Sequence, residues 1–256
     1  MSSLQNAREA PLWLDSFDES LHGRKPLDGS VSVDVAIIGG GYSGLWTAYY
    51  LLKNDPSLRV LIIEKEFCGY GASGRNGGWC EGALAGGTEK YAKRSTMDEA
   101  LRLERTMFET VDEIQRVLAS EDINCDFHKG GFVSVARNLP QAQRQSSAVE
   151  LARKRGTGEE VIRILDADEA RAHVNATNVH SGIFFAPSAV VDPGKMVRGL
   201  AEAVERKGGM IVEGTTALSI STGKVVCVEG VVSADVIVQA TEGYTRDITG
   251  KKLDLL

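Results

Sequence analysis

Three glycines at a fixed spacing follow a short apolar run near the N-terminus. Gly39, Gly41 and Gly44 fit the pattern G-x-G-x-x-G, and the residues after them have the pattern of a helix. Between a strand and a helix, the first glycine permits a tight turn, the second lets a pyrophosphate approach the backbone, and the third allows close packing. The helix N-terminus offers N–H groups and partial positive charge to phosphates. The spacing indicates a dinucleotide site, although alone it is a weak signal.

A carboxylate follows where the ribose of a dinucleotide would need one. Glu64 ends a second apolar run, 20 residues after Gly44, and can accept hydrogen bonds from ribose hydroxyls. It would also repel a 2′-phosphate, which disfavours NADP. The alternative is a charged strand end beside an ordinary tight loop. Because strand, turn, helix, strand and acid are all in register, dinucleotide binding is preferred, and the turn leaves FAD and NAD both open.

A parallel sheet must position these residues. Val31–Ile38 is a β-branched run suited to a buried parallel strand, residues 43–54 form a helix that Pro56 ends, and Arg59–Glu64 is a second strand. A later parallel strand is predicted at 234–240. Further strands are expected around 210–220 and 224–231.

The middle of the chain has a different pattern. The stretches 130–136 and 181–186 are typical of an antiparallel sheet. Helices are predicted at about 97–119, with Thr96 as cap, near 140–155, at 167–173, and from Asp192-Pro193 to Gly208-Gly209. The predicted fold class is therefore α/β, a Rossmann-type FAD/NAD(P)-binding parallel sheet with an inserted antiparallel sheet.

Composition narrows the function classes. A net charge of −6 and a pI near 5.4 argue against a nucleic-acid footprint, which usually shows clustered Lys and Arg. No apolar run is long enough to cross a membrane, and the first residues lack the pattern of a signal peptide. The four cysteines show no CxxC spacing, so we expect reduced thiols, a cytoplasmic protein and no metal site.

The stretch GYGASGRNGGW (69–79) places small residues just beyond the second strand. Together with VAIIGGGYSGL, IIEKEFCGYGASGRNGG, SGIFFAPSAVVDPGKMVRGLA and ADVIVQATEGYT, it resembles the D-amino-acid oxidase-like family of FAD-dependent oxidoreductases. The similarity is greatest to gamma-glutamylputrescine oxidase-like and glycine/sarcosine oxidase-like members. It covers nearly the whole chain, which looks like the N-terminal part of such a protein with a C-terminally incomplete fold.

The resemblance implies FAD as cofactor and a role for each matching residue. The implied segments are an N-terminal arm on the surface (1–30), a first FAD-binding segment (31–95), a helical part with the substrate-domain insertion (96–190) and a second FAD-binding segment (191–256). The insertion would form part of the substrate domain over the flavin. The implied FAD contacts are Gly39, Gly41, Tyr42, Ser43 and Gly44 (pyrophosphate), Glu64 and Lys65 (ribose), Ala72, Ser73, Arg75, Asn76, Gly77 and Gly78 (pyrophosphate to isoalloxazine), Ala217 (adenine), and Ala240 and Thr241 (pyrophosphate).

The resemblance also implies a reaction. A hydride would leave the amine-bearing carbon of a small amine or amino acid for flavin N5, the imine would hydrolyse, and oxygen or another acceptor would take the electrons. No catalytic acid or base is identified. His128 could face the substrate, but a structural histidine is preferred, and Tyr244 is expected to pack. Arg75 could either offset charge on the reduced flavin or anchor phosphate.

Two alternatives stay open. The chain could be a non-catalytic fragment or split FAD-binding module that needs a partner chain. It could also be an NAD-dependent dehydrogenase, which the glycine turn allows but GASGRNGG and ATEG disfavour.

Overall fold

The computed structural model describes residues 11–15 and 23–248. The chain divides into two compact units. The first comprises Met1–Gly77, Ile123–Cys125 and Asp192–Leu256, and the second comprises Gly78–Asp122 and Asp126–Val191.

Eleven strands lie in the described residues: β1 (Val31–Ile38), β2 (Val60–Ile63), β3 (Trp79–Glu81), β4 (Phe132–Ala136), β5 (Ile162–Leu165), β6 (Ser181–Phe185), β7 (Ser188–Val190), β8 (Met210–Val212), β9 (Ala217–Ser221), β10 (Lys224–Cys227) and β11 (Val231–Gln239). The same residues contain six α-helices: α1 (Tyr42–Asn54), α2 (Thr88–Ala92), α3 (Met97–Ser120), α4 (Leu139–Lys154), α5 (Ala167–His173) and α6 (Pro193–Arg206). Short 3-10 turns occur at Leu12–Leu14, Ala72–Gly74 and Glu242–Asp247.

One six-stranded sheet organises the first unit, in the order β8-β2-β1-β11-β10-β9. Strands β8, β2, β1 and β11 are parallel, whereas β10 and β9 pair antiparallel. Strand β2 is buried at every position, as expected for an apolar strand in the middle of a parallel sheet. Because β1 and β11 pair through Ile38 and Gln239, the loops that follow both strands leave the sheet side by side.

Helices α1 and α6 pack against each other in the first unit. The predicted apolar stripe of α6 is confirmed, since its five members are all buried: Met196, Val197, Leu200, Ala201 and Val204. Asp192 caps α6 by accepting the Lys195 backbone N–H at 3.0 Å. A hydrophobic cluster of buried residues joins Leu27 to Val225 of β10 and Val232 of β11.

The second unit contains two antiparallel sheets, β3-β7 and β4-β6-β5. The long helix α3 begins where predicted, because the Thr96 side chain accepts the Glu99 backbone N–H at 3.2 Å. Helix α5 agrees with the predicted bounds, and Asp166 and Glu169 form a reciprocal capping box at its start. The predicted α/β fold class, with a parallel sheet and additional antiparallel strands, is confirmed.

Two sequence predictions of strands were wrong in detail. The expected strand at 210–220 is divided into β8 and β9, because Gly214 adopts a left-handed φ of 64° that breaks the extended backbone. Strand β11 begins at Val231 and not at 234, since its first residues pair with β10. Strands β3, β5 and β7 and helix α2 were not predicted, because each is only three to five residues long.

The predicted surface arm over residues 1–30 has one buried residue in its described part, Leu27. Leu27 is only 8% exposed, and its backbone N–H donates to Thr215 Oγ1 at 2.9 Å. Residues 1–10 and 16–22 lie outside the described part of the chain. Among the described helices, none combines the length and apolar character needed to cross a bilayer.

Candidate cofactor site

The glycine turn lies at the carboxyl edge of the parallel sheet. The Gly39 N–H donates to Ile63 O at 2.9 Å, and the Ala240 N–H donates to Ile38 O at 2.8 Å. Gly39 has a φ of 111°, and a Cβ at this position would lie 2.4 Å from Ala240 O. Only glycine fits both the backbone conformation and the space. The structure therefore brings together Gly39, Ala240 and, through the chain, Thr241.

The third glycine allows α1 to start directly against the turn. A Cβ on Gly44 would lie 2.1 Å from Gly39 O and 3.2 Å from the Ile37 side chain. A Cβ on Gly41 would lie 2.9 Å from Ser73 Oγ. Gly41 is the N-cap of α1, so the first turn of the helix lies beside the 72–76 loop.

One amide of this helix N-terminus already has a partner. The Tyr42 N–H donates to Ser73 Oγ at 2.9 Å, and the Tyr42 hydroxyl donates to Pro193 O at 3.0 Å. Ser43 is exposed. The Ser73 hydroxyl therefore occupies a position where a phosphate oxygen would compete with it for the Tyr42 N–H.

Glu64 lies next to the turn, as its spacing predicted. Its Oε2 accepts the Gly40 N–H at 2.7 Å and its Oε1 accepts the Glu66 N–H at 2.9 Å. Burial raises the pKa of Glu64, an effect that these two backbone N–H bonds oppose and that the negative charges of Glu213 and Glu66 increase. Each carboxylate oxygen retains a second lone pair, so the group can still accept two ribose hydroxyls.

The 72–76 loop forms a 3-10 turn that is closed by its own side chains. The Asn76 side chain donates to Ala72 O at 3.2 Å and to Ser73 O at 3.0 Å. Arg75 Nε donates to Tyr70 O, and the guanidinium lies 4.4 Å from the centre of the Tyr70 ring. The Asn76 carbonyl accepts the Trp13 indole N–H at 2.7 Å.

The remaining predicted contacts are less closely tied to the turn. Lys65 is exposed, and Ala217 opens β9 two residues after Thr215, whose N–H donates to Glu64 O at 2.9 Å. Gly77 is exposed with open space around it. Gly78 belongs to the second unit.

Two other side chains that could take part in the chemistry, His128 and Tyr244, have ordinary surroundings. His128 is exposed and its backbone pairs with Val190 in a β-bridge. Tyr244 is 50% exposed, and its ring would lie 3.4 Å from a Cβ on Gly71. These positions identify no acid or base.

Sequence reasoning missed a buried charged cluster beneath the turn. Glu213 is 2% exposed, and its Oε1 accepts the Cys68 N–H at 2.9 Å and Arg24 Nη1 at 3.1 Å. Cys68 Sγ would lie 2.8 Å from a Cβ on Gly40. In the sequence, Glu213 stands out only as an acidic residue directly after the short strand β8. Its partner Arg24 is 189 positions away, so the pair could not be recognised from sequence spacing.

The donor set fits the adenosine diphosphate half of FAD. A glycine backbone with no space for side chains leads into a helix N-terminus, which favours phosphate. The carboxylate beside it has lone pairs left for ribose. This combination of amide donors and one carboxylate is what an ADP group requires.

A family comparison agrees with this geometry. The family model DAO, described as FAD dependent oxidoreductase, matches residues 34–256. Gamma-glutamylputrescine oxidoreductase of Escherichia coli (strain K12) is 29% identical over 224 residues, which cover 86% of this chain and 51% of that protein. The chain spans about half the length of the curated relatives it matches over most of its length.

Solved structures share the fold at low sequence identity. L-amino acid deaminase from Proteus myxofaciens superposes with a TM-score of 0.72 at 20% identity, covering 88% of this chain and 49% of that one. Glycine oxidase from Geobacillus kaustophilus gives a TM-score of 0.66 at 22% identity, covering 86% and 58%. With the family match over residues 34–256, this chain belongs to the DAO family of FAD-dependent oxidoreductases.

Proposed function

We propose that this chain holds FAD and forms the cofactor-binding part of an oxidoreductase that acts on a small amine or amino acid. One observation carries the proposal, namely that the Glu64 carboxylate is fixed by the Gly40 N–H at 2.7 Å directly beside the turn of Gly39 and Gly44. In a dinucleotide site the helix N-terminus binds the pyrophosphate and a carboxylate beside it binds the ribose, and both groups are in place here.

Each part of the site has a proposed task. The first turn of α1 would bind the pyrophosphate. The Tyr42 N–H would then donate to a phosphate oxygen, either in place of Ser73 Oγ or shared with it. Glu64 would bind the ribose, and Lys65 and the backbone at Ala217 would lie along the adenosine. The 72–78 stretch, with Asn76, would continue toward the ring system.

When bound, FAD supplies a hydride acceptor for the amine-bearing carbon of the substrate, whose imine product then hydrolyses. The protein has to orient the cofactor and shape the charge around it. Arg75 is held by Tyr70 on one side while the residue as a whole stays exposed. This supports a role in charge compensation, either on phosphate or near the ring.

Substrate class and surroundings are part of the same proposal. The relatives named gamma-glutamylputrescine oxidoreductase, L-amino acid deaminase and glycine oxidase point to amines and amino acids as substrates. We propose oxygen or another compound as the electron acceptor. The antiparallel sheets of the second unit are the proposed substrate-contacting part of this chain. We also propose a cytoplasmic location, which the four free thiols support, because that compartment keeps thiols reduced.

An anaerobic flavin-reduction experiment tests the function. The purified chain is incubated with FAD, freed of unbound cofactor, and mixed with gamma-glutamylputrescine, glycine or L-amino acids under anaerobic conditions. We expect retained flavin absorption and its bleaching by one of these compounds. FAD retention without any bleaching would favour a binding module that needs a partner chain for catalysis, and no retention would contradict the proposal. The Gly44→Ala variant serves as the matched control for nonspecific flavin.

A further inference from the structure

We propose that Arg24 is a positioning residue for FAD binding, supplying the positive charge that holds Glu213 in place as the acceptor for Cys68 and thereby fixes Gly40 and Glu64. The proposal rests on the proposed function, because it concerns the same cofactor site. It assigns a role to a residue that precedes the first strand and belongs to no recognised motif.

Arg24 contacts two acids in the first unit. Its Nε and Nη2 donate to the two carboxylate oxygens of Glu205 at 2.8 and 2.6 Å, and its Nη1 donates to Glu213 Oε1 at 3.1 Å. The Arg24 side chain is 14% exposed and that of Glu213 is 1% exposed, whereas Glu205 is 37% exposed. Arg24 therefore bridges a surface carboxylate and a buried one.

Glu213 depends on Arg24 for charge compensation more than an exposed carboxylate would, because water does not reach it. Its Oε2 has no hydrogen-bond partner among the described residues, so compensation of its charge falls on the groups at Oε1. A buried carboxylate that loses its counter-charge is strongly unfavourable. Burial by itself would lower the pKa of Arg24, but the bond to Glu205 and the negative charges around it raise that pKa, so the guanidinium stays charged.

The contacts of Glu213 lead directly to the cofactor turn. Cys68 donates its backbone N–H to Glu213 Oε1 at 2.9 Å, and the neighbouring Gly69 donates its N–H to Gly40 O at 3.0 Å. Gly40 in turn donates its own N–H to Glu64. Three consecutive hydrogen bonds thus connect the buried carboxylate to the ribose-binding one.

A second connection runs in parallel through the backbone. Leu27 donates its N–H to Thr215 Oγ1 at 2.9 Å, and Thr215 donates its N–H to Glu64 O at 2.9 Å. The 24–27 stretch is therefore hydrogen-bonded at one end to Glu213, which contacts Cys68, and at the other to Thr215, which contacts Glu64. Loss of the Arg24 charge should displace Glu213 and loosen Cys68 and Gly40 together.

The test compares Arg24→Met with a matched arginine. Arg59 is also forked onto a carboxylate, that of Asp34, with Nη2 to Oδ1 at 2.6 Å, but its side chain is 57% exposed. We expect Arg24→Met to weaken the Kd of the chain for FAD by about 10-fold or more, and Arg59→Met to change it by less than about two-fold. Kd is measured on the folded fraction by flavin fluorescence, so that loss of stability alone does not alter the value.

Removing the charges of both Arg24 and Glu213 tests whether Arg24 acts by neutralising Glu213 or only by anchoring it through hydrogen bonds. The double variant Arg24→Met/Glu213→Gln keeps an acceptor for the Cys68 N–H and removes the buried charge, so we expect it to restore the Kd to within about three-fold of the parent. Arg24→Lys, which keeps the charge and loses the fork, should also stay within about three-fold. If the Arg24→Met protein does not fold, Arg24→Lys becomes the deciding variant. If Arg24 acted only through its two-pronged hydrogen bonds and not through its charge, Arg24→Lys would bind FAD more weakly than the parent.

A thiol-labelling experiment reads the same effect without FAD. In Arg24→Met, alkylation of Cys68 should accelerate relative to Cys125 and Cys227, which are also buried in this unit, and it should return to the parent rate in the double variant. An unchanged Kd with unchanged Cys68 labelling would overturn the proposal, as would a weakened Kd that the double variant does not restore. If the parent chain itself binds no FAD, the proposed function fails, and this result is distinct from a parent that binds and an Arg24→Met variant that binds equally well.

Discussion

Replacing Gly44 by alanine is expected to abolish measurable FAD binding. The new Cβ would lie 2.1 Å from Gly39 O and 3.3 Å from Gly39 C, and both atoms belong to the backbone, so no flexible side chain can move aside. Relief requires α1 to shift away from β1, at a cost of about 1–3 kcal/mol for overpacking. Such a shift displaces the helix N-terminus from the phosphates. Equilibrium dialysis with FAD measures the effect.

Gly23→Ala is the matched control for this experiment. A Cβ at Gly23 meets nothing within 4 Å, so the variant should bind FAD like the parent and unfold at the same or slightly higher denaturant concentration. A Gly44→Ala chain that keeps the parent affinity would show that the close approach of helix and turn is irrelevant to the cofactor.

The second large effect is expected at Glu64. Glu64→Gln leaves a single acceptor oxygen for the two backbone N–H donors of Gly40 and Glu66 and removes the negative charge that would bind ribose. Hydrogen bonds to charged groups contribute about 1.5–3 kcal/mol each, so losing even one or two predicts a decrease in FAD affinity of about 100-fold. Titration of the apo-chain with FAD measures it.

The pH dependence of this affinity has a defined sign. Burial raises the pKa of Glu64 above the ordinary glutamate value of 4.5, and the charges of Glu213 and Glu66 act in the same direction against the two backbone N–H bonds. FAD affinity should therefore be present above that raised pKa and decline as pH falls through it. The contribution of Glu64 to folding stability has the opposite sign, since a raised pKa means that ionisation on raising the pH costs stability.

Glu202→Gln provides the control for charge alone, because Glu202 is an exposed acid on α6 in the same unit. It should leave the affinity and its pH profile unchanged, whereas Glu64→Gln should lose the acid-side decline. A parent and a Glu64→Gln chain with the same affinity at every pH would remove Glu64 from the site.

The sequence predicted the glycine turn and the position of Glu64 beside it because their determinants are local. Gly39, Gly41 and Gly44 occur at a fixed spacing, and Glu64 follows one βα crossover later, so no long-range information is needed. The caps of Thr96 and Asp192 were predictable for the same reason. Apolar periodicity likewise identified β1 and α6.

What the sequence did not reveal depends on distant partners. Arg24 and Glu213 are unremarkable charged residues until the fold places them 3.1 Å apart. Division of the predicted 210–220 strand depended on the φ of Gly214, which the residue type permits but does not require. The role of Ser73 as an acceptor for the Tyr42 N–H also became visible only when the 72–76 loop was placed beside α1.

The most direct test of the account is a titration of the apo-chain with FAD in which ADP and NADH are added as competitors. Since the turn and Glu64 are proposed to hold the adenosine diphosphate half, we predict saturable binding of one FAD per chain, displacement by ADP, and the same proportional loss of FAD and ADP affinity in Glu64→Gln. FAD binding that ADP does not compete for, or tight NADH binding by a chain that takes up no FAD, would contradict the account.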